Sequence, residues 1–195
     1  MPNRADQREL AREKLLDAAG RGFRREGFGG IGVDGLAKEA GVTSGAFYGY
    51  FKSKREAFAT AAVAGLEALR DAVGRLQSEQ GERWLDVFID FYFEERLTCD
   101  LDESCALQSM TPDVMRADEA TKVQYESALK EVAESIADGL GDGSIESRME
   151  AAWALLALLS GGVTMARSTA TDALRKDLSA QLKHAARTMT ETIRD

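Results

Sequence analysis

Proline, cysteine and histidine are nearly missing: the 195 residues contain two prolines, two cysteines and one histidine. Few prolines leave long stretches free to be helical, because proline clashes with a helix interior and removes a donor from it. Two cysteines, Cys99 and Cys105, cannot build the disulfide framework of a small secreted domain. His184 lies far from both and completes no zinc-ligand spacing. With no nucleophile-base pair and no phosphate-cradling glycine loop, the expectation is no metal, no cofactor and no enzyme activity. No basic segment followed by an apolar one opens the chain, so no signal peptide is expected and the cytoplasm is the expected location. The most apolar run, residues 151–166, is shorter than the roughly 20 residues that span a bilayer and is interrupted by Ser160, Gly161, Gly162 and Thr164. A buried or interface helix is expected there, and no membrane contact.

What is present is unevenly charged. A net charge of −8 and a pI near 4.9 argue against a polyanionic partner. Yet residues 1–55 hold 11 lysines and arginines against 7 aspartates and glutamates, while the remainder holds 14 against 26. A basic first quarter and an acidic rest imply a division of labour, with the first part facing an anion.

Periodicity supplies the elements. In residues 6–26, Ala11, Leu15, Ala18 and Gly22, with Ala19 and Phe23, recur at three- and four-residue steps and predict a first helix. Gly27, Gly29, Gly30 and Gly32 break it. Residues 33–40 predict a short second helix with Val33, Leu36, Ala37 and Ala40 inward, stopped by Gly41 in the left-handed conformation. Thr43 caps a third helix over 44–51, in which Phe47 and Phe51 read as core plugs. Two short helices across a glycine turn make a helix-turn-helix. Ser53-Lys54-Arg55-Glu56 has the capping-box form and opens a long helix through residue 75. Further helices are expected at 82–97, 112–140 with a bend near Asp118, 144–167 and 171–194, with breaks at Gly81, Thr111-Pro112, Gly141-Asp142-Gly143 and Ser168-Thr169.

The string Gly41-Val42-Thr43-Ser44-Gly45-Ala46-Phe47-Tyr48-Gly49-Tyr50-Phe51-Lys52-Ser53-Lys54 resembles the Gly-Val-Ser-x-Gly-x-Leu-Tyr-x-His-Phe-x-Ser-Lys pattern of the TetR family of bacterial regulators. Upstream, Leu16-Asp17-Ala18-Ala19, Phe23, Gly27-Phe28 and Leu36-Ala37-x-x-Ala40 fall at that family's spacing, so the match runs over residues 15–58. Two departures weaken the second helix: Ile31 and Gly32 stand where relatives place Ser or Thr, and Gly35 costs about 1 kcal/mol relative to alanine. The resemblance implies an all-α fold, with an N-terminal three-helix module over 1–53 joined by a long helix to a helical ligand-binding and dimerisation domain over 54–195. It implies a repressor released from a palindromic operator by a small, largely apolar inducer. Ser44, Gly45, Ala46 and Tyr48 then face the major groove, Thr43 and Ser44 suit a phosphate at the helix start, and Tyr50, Lys52 and Lys54 contact phosphates. Arg4 and Arg8 are candidates for a backbone-seeking arm.

In the acidic part, residues 82–97 place Trp84, Phe88, Phe91 and Tyr92 on one stripe and Leu85, Ile89 and Phe93 on the next. The resemblance implies an inducer cavity here, with Trp84, Phe88, Phe91, Tyr92, Met110, Met115, Tyr125 and Trp153 as its candidate lining, an ordinary filled core being the alternative for each; Glu95 falls in line with Phe88 and Tyr92, either to meet a cationic ligand group or to sit at the helix end in water. An alternative function is a redox or electrophile sensor of the same fold acting through Cys99 or Cys105. The acidic neighbours Asp100, Asp102 and Glu103 oppose a thiolate at either. Leu174, Leu178, Leu182, Ala185, Met189 and Ile193 repeat at helical steps. With Leu155, Leu158 and Leu159 they are expected to pair with the same helices of a second chain as a four-helix bundle, which is also how the family dimerises.

Overall fold

The computed structural model describes residues 4–141 and 143–194, and no strand occurs among them. The side chains of Arg4 and Ile193, and the whole of Asp142, lie outside what is described. The helices are α1 (Arg4–Gly30), α2 (Val33–Glu39), α3 (Ser44–Phe47), α4 (Lys54–Gln80), α5 (Trp84–Phe93), α6 (Glu95–Thr98), α7 (Ala106–Ser109), α8 (Thr111–Val114), α9 (Glu119–Asp138), α10 (Ile145–Arg167) and α11 (Asp172–Arg194), with 3₁₀ turns at Gly81–Arg83 and Leu101–Glu103. They form two compact units. The first takes the chain up to Gly65 together with Asp100–Tyr125, and the second takes Leu66–Cys99 together with the chain from Glu126.

In the first unit, α1 buries Leu15, Ala18, Ala19 and Phe23, the stripe its spacing predicts. Gly27 breaks α1 with φ 73° and ψ 172°, a region essentially confined to glycine that costs other residues about 1–3 kcal/mol. Just beyond it, Phe28 joins Phe23 and Phe58 in one aromatic cluster, with ring centroids 5.2–6.2 Å apart. Arg24 donates to the Asp102 carbonyl at 2.6 Å, and the Phe28 N–H donates to the Asp113 carboxylate at 2.6 Å, so the segment after Cys99 is tied to the N-terminal helices. α4 approaches α7 closely at Gly65, where a Cβ would lie 2.3 Å from that of Ala106.

The second unit is built on α5, α10 and α11. α10 buries Ala152, Leu155, Leu159 and Val163 completely. Gly162 lets Leu182 of α11 and the Phe93 ring come in, since a Cβ there would meet them at 2.9 and 3.2 Å. Among the described helices α10 alone is long and apolar enough to cross a membrane, although its apolar run is shorter than that. The helix expected over 82–97 is interrupted at Glu94 (φ −116°, ψ −74°), which separates α5 from α6. The break takes the Phe93 carbonyl out of its helical ladder, and Ser179 of α11 donates to it at 2.9 Å. The bend expected near Asp118 is likewise a full break, because the Asp118 carboxylate accepts the Thr121 N–H at 2.8 Å and starts α9.

Candidate nucleic-acid interface

The candidate interface, the helix-turn-helix head, is assembled from α2, α3 and the turn between them. Gly41 has φ 68°, as its place after α2 demands, and the Val42 N–H returns to the Ala37 carbonyl at 2.9 Å. Thr43 caps α3 through its hydroxyl, which accepts the Ala46 N–H at 3.1 Å. Ser44 donates its hydroxyl to the Asp34 carboxylate of α2, so its remaining capacity is as an acceptor. α3 is a single α-helical turn that tightens into turns through Tyr50, shorter than the helix expected over 44–51. Phe47 is fully buried and Phe51 nearly so, with ring centroids 5.6 Å apart. They anchor α3 and leave the intervening side chain outward: Tyr48 is 58% exposed, its ring edge-on to Phe47 at 5.5 Å.

Thr43, Gly45, Tyr48 and Lys52 are exposed, while Ser44, Ala46, Tyr50 and Lys54 are half-buried. Lys54 lies over the Phe28 ring at 4.6 Å from its centroid, so part of its charge is spent on an internal cation–π contact. The capping box at Ser53 is real but shifted: Ser53 Oγ accepts the Glu56 N–H at 3.1 Å, while the Glu56 carboxylate reaches back to the Lys52 N–H at 2.6 Å rather than to that of Ser53.

Of the residues expected to line a cavity, Trp84, Phe88, Phe91, Tyr92 and Trp153 belong to the second unit and Met110, Met115 and Tyr125 to the first. Trp84, Phe88 and Tyr92 are buried and packed ring to ring, with centroids 6.2 and 5.1 Å apart, and Trp84 Nε1 donates to the Gly139 carbonyl at 3.0 Å. Phe91 is half-buried with Arg96 over its ring. Met110 and Tyr125 are buried in the first unit, where the Tyr125 hydroxyl pairs with Thr111 and burial raises the phenol pKa. Met115 and Trp153 are 65% and 40% exposed. Among the residues expected at a subunit contact, Leu155 and Leu159 are filled into the protomer core, and Leu158, Leu178, Leu182 and Met189 are half-buried. Leu174 and Ala185 are exposed. Periodicity could not show that the outward face of α10 carries Trp153, Ala154, Ala157, Gly161 and Met165 instead.

Sequence reading also missed a contact at Cys99. Arg167, from the last turn of α10, donates to the Arg96 and Cys99 carbonyls at 2.8 Å and approaches Cys99 Sγ at 3.5 Å. The half-buried thiol lines a hollow of about 260 Å³ with Arg167 and Arg175. No local signal reveals this, because the arginines lie about seventy positions away.

Residues 15–61 match the family described as bacterial regulatory proteins, tetR family. No curated protein matches the sequence. In three dimensions the chain is similar to a TetR-family transcriptional regulator from Cytophaga hutchinsonii, at a TM-score of 0.77 and 15% identity over 100% of this chain and 98% of that one. It is also similar to the TetR-family regulator SCO4454 from Streptomyces coelicolor, at 0.71 and 19% over 96% and 97%. The reduced form of NemR from E. coli is similar at 0.74 and 18% over 89% and 95%.

Proposed function

We propose that this TetR-family chain, whose residues 15–61 carry the family's DNA-binding module, is a homodimeric repressor that leaves a palindromic operator when a small, largely apolar molecule binds its acidic part. The observation that carries the reading is the reading head itself: Phe47 and Phe51 buried on one side of α3, and Thr43, Gly45 and Tyr48 open on the other. Tyr48 and Ala46 face base edges, Ser44 accepts from a base amino group, and Tyr50, Lys52 and Lys54 meet phosphates. Two heads are required for half-sites about 34 Å apart, and the outward face of α10 with Leu174 and Ala185 of α11 supplies the pairing surface. α4 gives a mechanical route for release, because one continuous helix contributes residues to both units.

Gel retardation of DNA flanking the protein's own gene, against excess unrelated DNA, tests the reading. Preferential retardation of one fragment is expected. Equal retardation of every fragment would remove the operator, and with it the repressor.

One contact favours a second reading, in which Cys99 senses an electrophile: the nucleophilic form of a thiol is the anion, and Arg167 lies against this sulfur. Loss of operator binding on alkylation, abolished by Cys99→Ser and not by Cys105→Ser, is its test. Operator binding that survives alkylation would sink it.

A further inference from the structure

Between the end of α4 and helix α5 runs a groove of about 450 Å³. Its two walls come at matched spacing: Ala72, Leu76 and Glu79 on α4, and Val87 and Phe91 on α5, with Glu94 at the break just after α5. Residues three, four and seven apart share one helix face, so each helix offers a single stripe across the groove. Ala72, Leu76, Val87 and Phe91 are all half-buried. One such residue is ordinary, whereas four converging on one hollow of this size make the floor of a ligand site.

The rim is acidic. Glu79, Asp90, Glu94 and Glu95 border the groove against one cation, Arg75. Asp90 and Glu94 already face Lys183, and Asp90 also faces Arg187. Among the described residues the carboxylates of Glu79 and Glu95 stand in no ion pair. The floor itself accepts cations, for the Arg96 guanidinium lies 4.7 Å from the centroid of the Phe91 ring.

We infer that this groove binds an organic cation with an apolar body, the body on Leu76, Val87 and Phe91 and the charge toward Glu79 and Glu95. Charge complementarity selects this occupant: an apolar anion meets the carboxylates unfavourably, and a neutral apolar molecule gains nothing from them. The regulatory consequence rests on the repressor reading above, while binding itself can be measured without DNA.

The test is calorimetric titration of the full-length protein with tetraphenylphosphonium and with its anionic isostere tetraphenylborate. The cation is expected to bind at least about tenfold more tightly. Glu79→Gln with Glu95→Gln, two exposed positions that leave the fold intact by circular dichroism, is expected to erase most of that preference, and Phe91→Ala to weaken the cation as well. Preference for the borate, or an unchanged preference in the double variant, would overturn the inference. So would failure of the cation to bind together with loss of the dimer in Phe91→Ala, which would assign the groove to a second copy of the chain. Binding that leaves operator affinity unchanged keeps the site and removes ligand release. Absence of binding with operator retardation intact removes the site and keeps the DNA-binding reading.

Discussion

The Asp113 carboxylate accepts the Phe28 N–H at 2.6 Å, one residue after the positive φ of Gly27. A Cβ on Gly27 would lie 3.0 Å from the same carboxylate oxygen, so the turn and its acceptor are fitted to each other. Asp113→Ala strands a part-buried amide and is expected to cost about 1–3 kcal/mol in urea unfolding. Gly27→Ala is expected to cost a similar amount, through backbone strain and crowding of Asp113. A loss below about 0.5 kcal/mol in both would show that the tie is not structural.

Gly65→Ala tests the contact between α4 and α7. Alanine favours a helix by about 1 kcal/mol, but its Cβ would fall 2.3 Å from that of Ala106, and overpacking of this kind costs about 1–3 kcal/mol. Net destabilisation is expected. A raised melting temperature would mean that the two helices separate freely.

The two classes of DNA contact are expected to fail differently. Tyr48→Ala should reduce discrimination between operator and unrelated DNA, whereas Lys52→Ala should weaken both alike and lower the salt slope by about one. Lys54→Ala removes a proposed phosphate contact and also the cation held over Phe28, so it should cost about 0.5–1 kcal/mol of stability besides. Altered operator preference in Lys52→Ala would reverse the assignment.

For the dimer, Ala157→Glu is expected to shift sedimentation toward the monomer without unfolding, because Ala157 is exposed on α10. Leu155→Ala, two positions away but fully buried, should instead lose about 2–5 kcal/mol of stability. A stable dimer in Ala157→Glu would move the interface elsewhere.

Acid should loosen the second unit. Burial pushes the Asp90 carboxyl up, but the hydrogen bond and charge of Lys183 and the charge of Arg187 outweigh it and hold Asp90 below the usual carboxylate range. A pKa lowered by folding gives stability that is complete above the unfolded value and lost as pH falls through the folded one, hence below about pH 4. Lys183 runs the other way: burial lowers it, Glu94 and Asp90 raise it more, and its contribution persists until pH rises beyond the ordinary lysine range. Urea unfolding between about pH 6 and pH 3 should therefore show an acid slope that Asp90→Asn reduces. An identical slope in the variant would remove Asp90 from the account.

What the sequence made legible follows from where its signals are local. Gly41 and Thr43 mark the turn and cap of the reading head because conformational freedom and a short hydroxyl act within three residues. The two faces of α10 were not legible: both are apolar, so no period distinguishes Leu155, in the protomer core, from the exposed Trp153 and Ala157. The break at Glu94 carries neither proline nor glycine, and the donor to the carbonyl beside it comes from α11, more than eighty residues away. Arg167 at Cys99 and the grouping of Asp100–Tyr125 with the N-terminal helices are likewise products of distance in sequence.

The hydroxyl that Ser179 offers to the Phe93 carbonyl restricts what position 179 can become. A short side chain with a proton to give can serve the interrupted ladder: threonine at the expense of an extra methyl group, cysteine only weakly. Alanine, otherwise the residue most welcome in a helix, would leave that carbonyl without the donor α11 now provides. Among sequences descended from this one, drift at position 179 should therefore be narrow while drift at the exposed Ala180 beside it is broad, and serine should become dispensable only in lineages where residues 93–95 have regained a continuous helix.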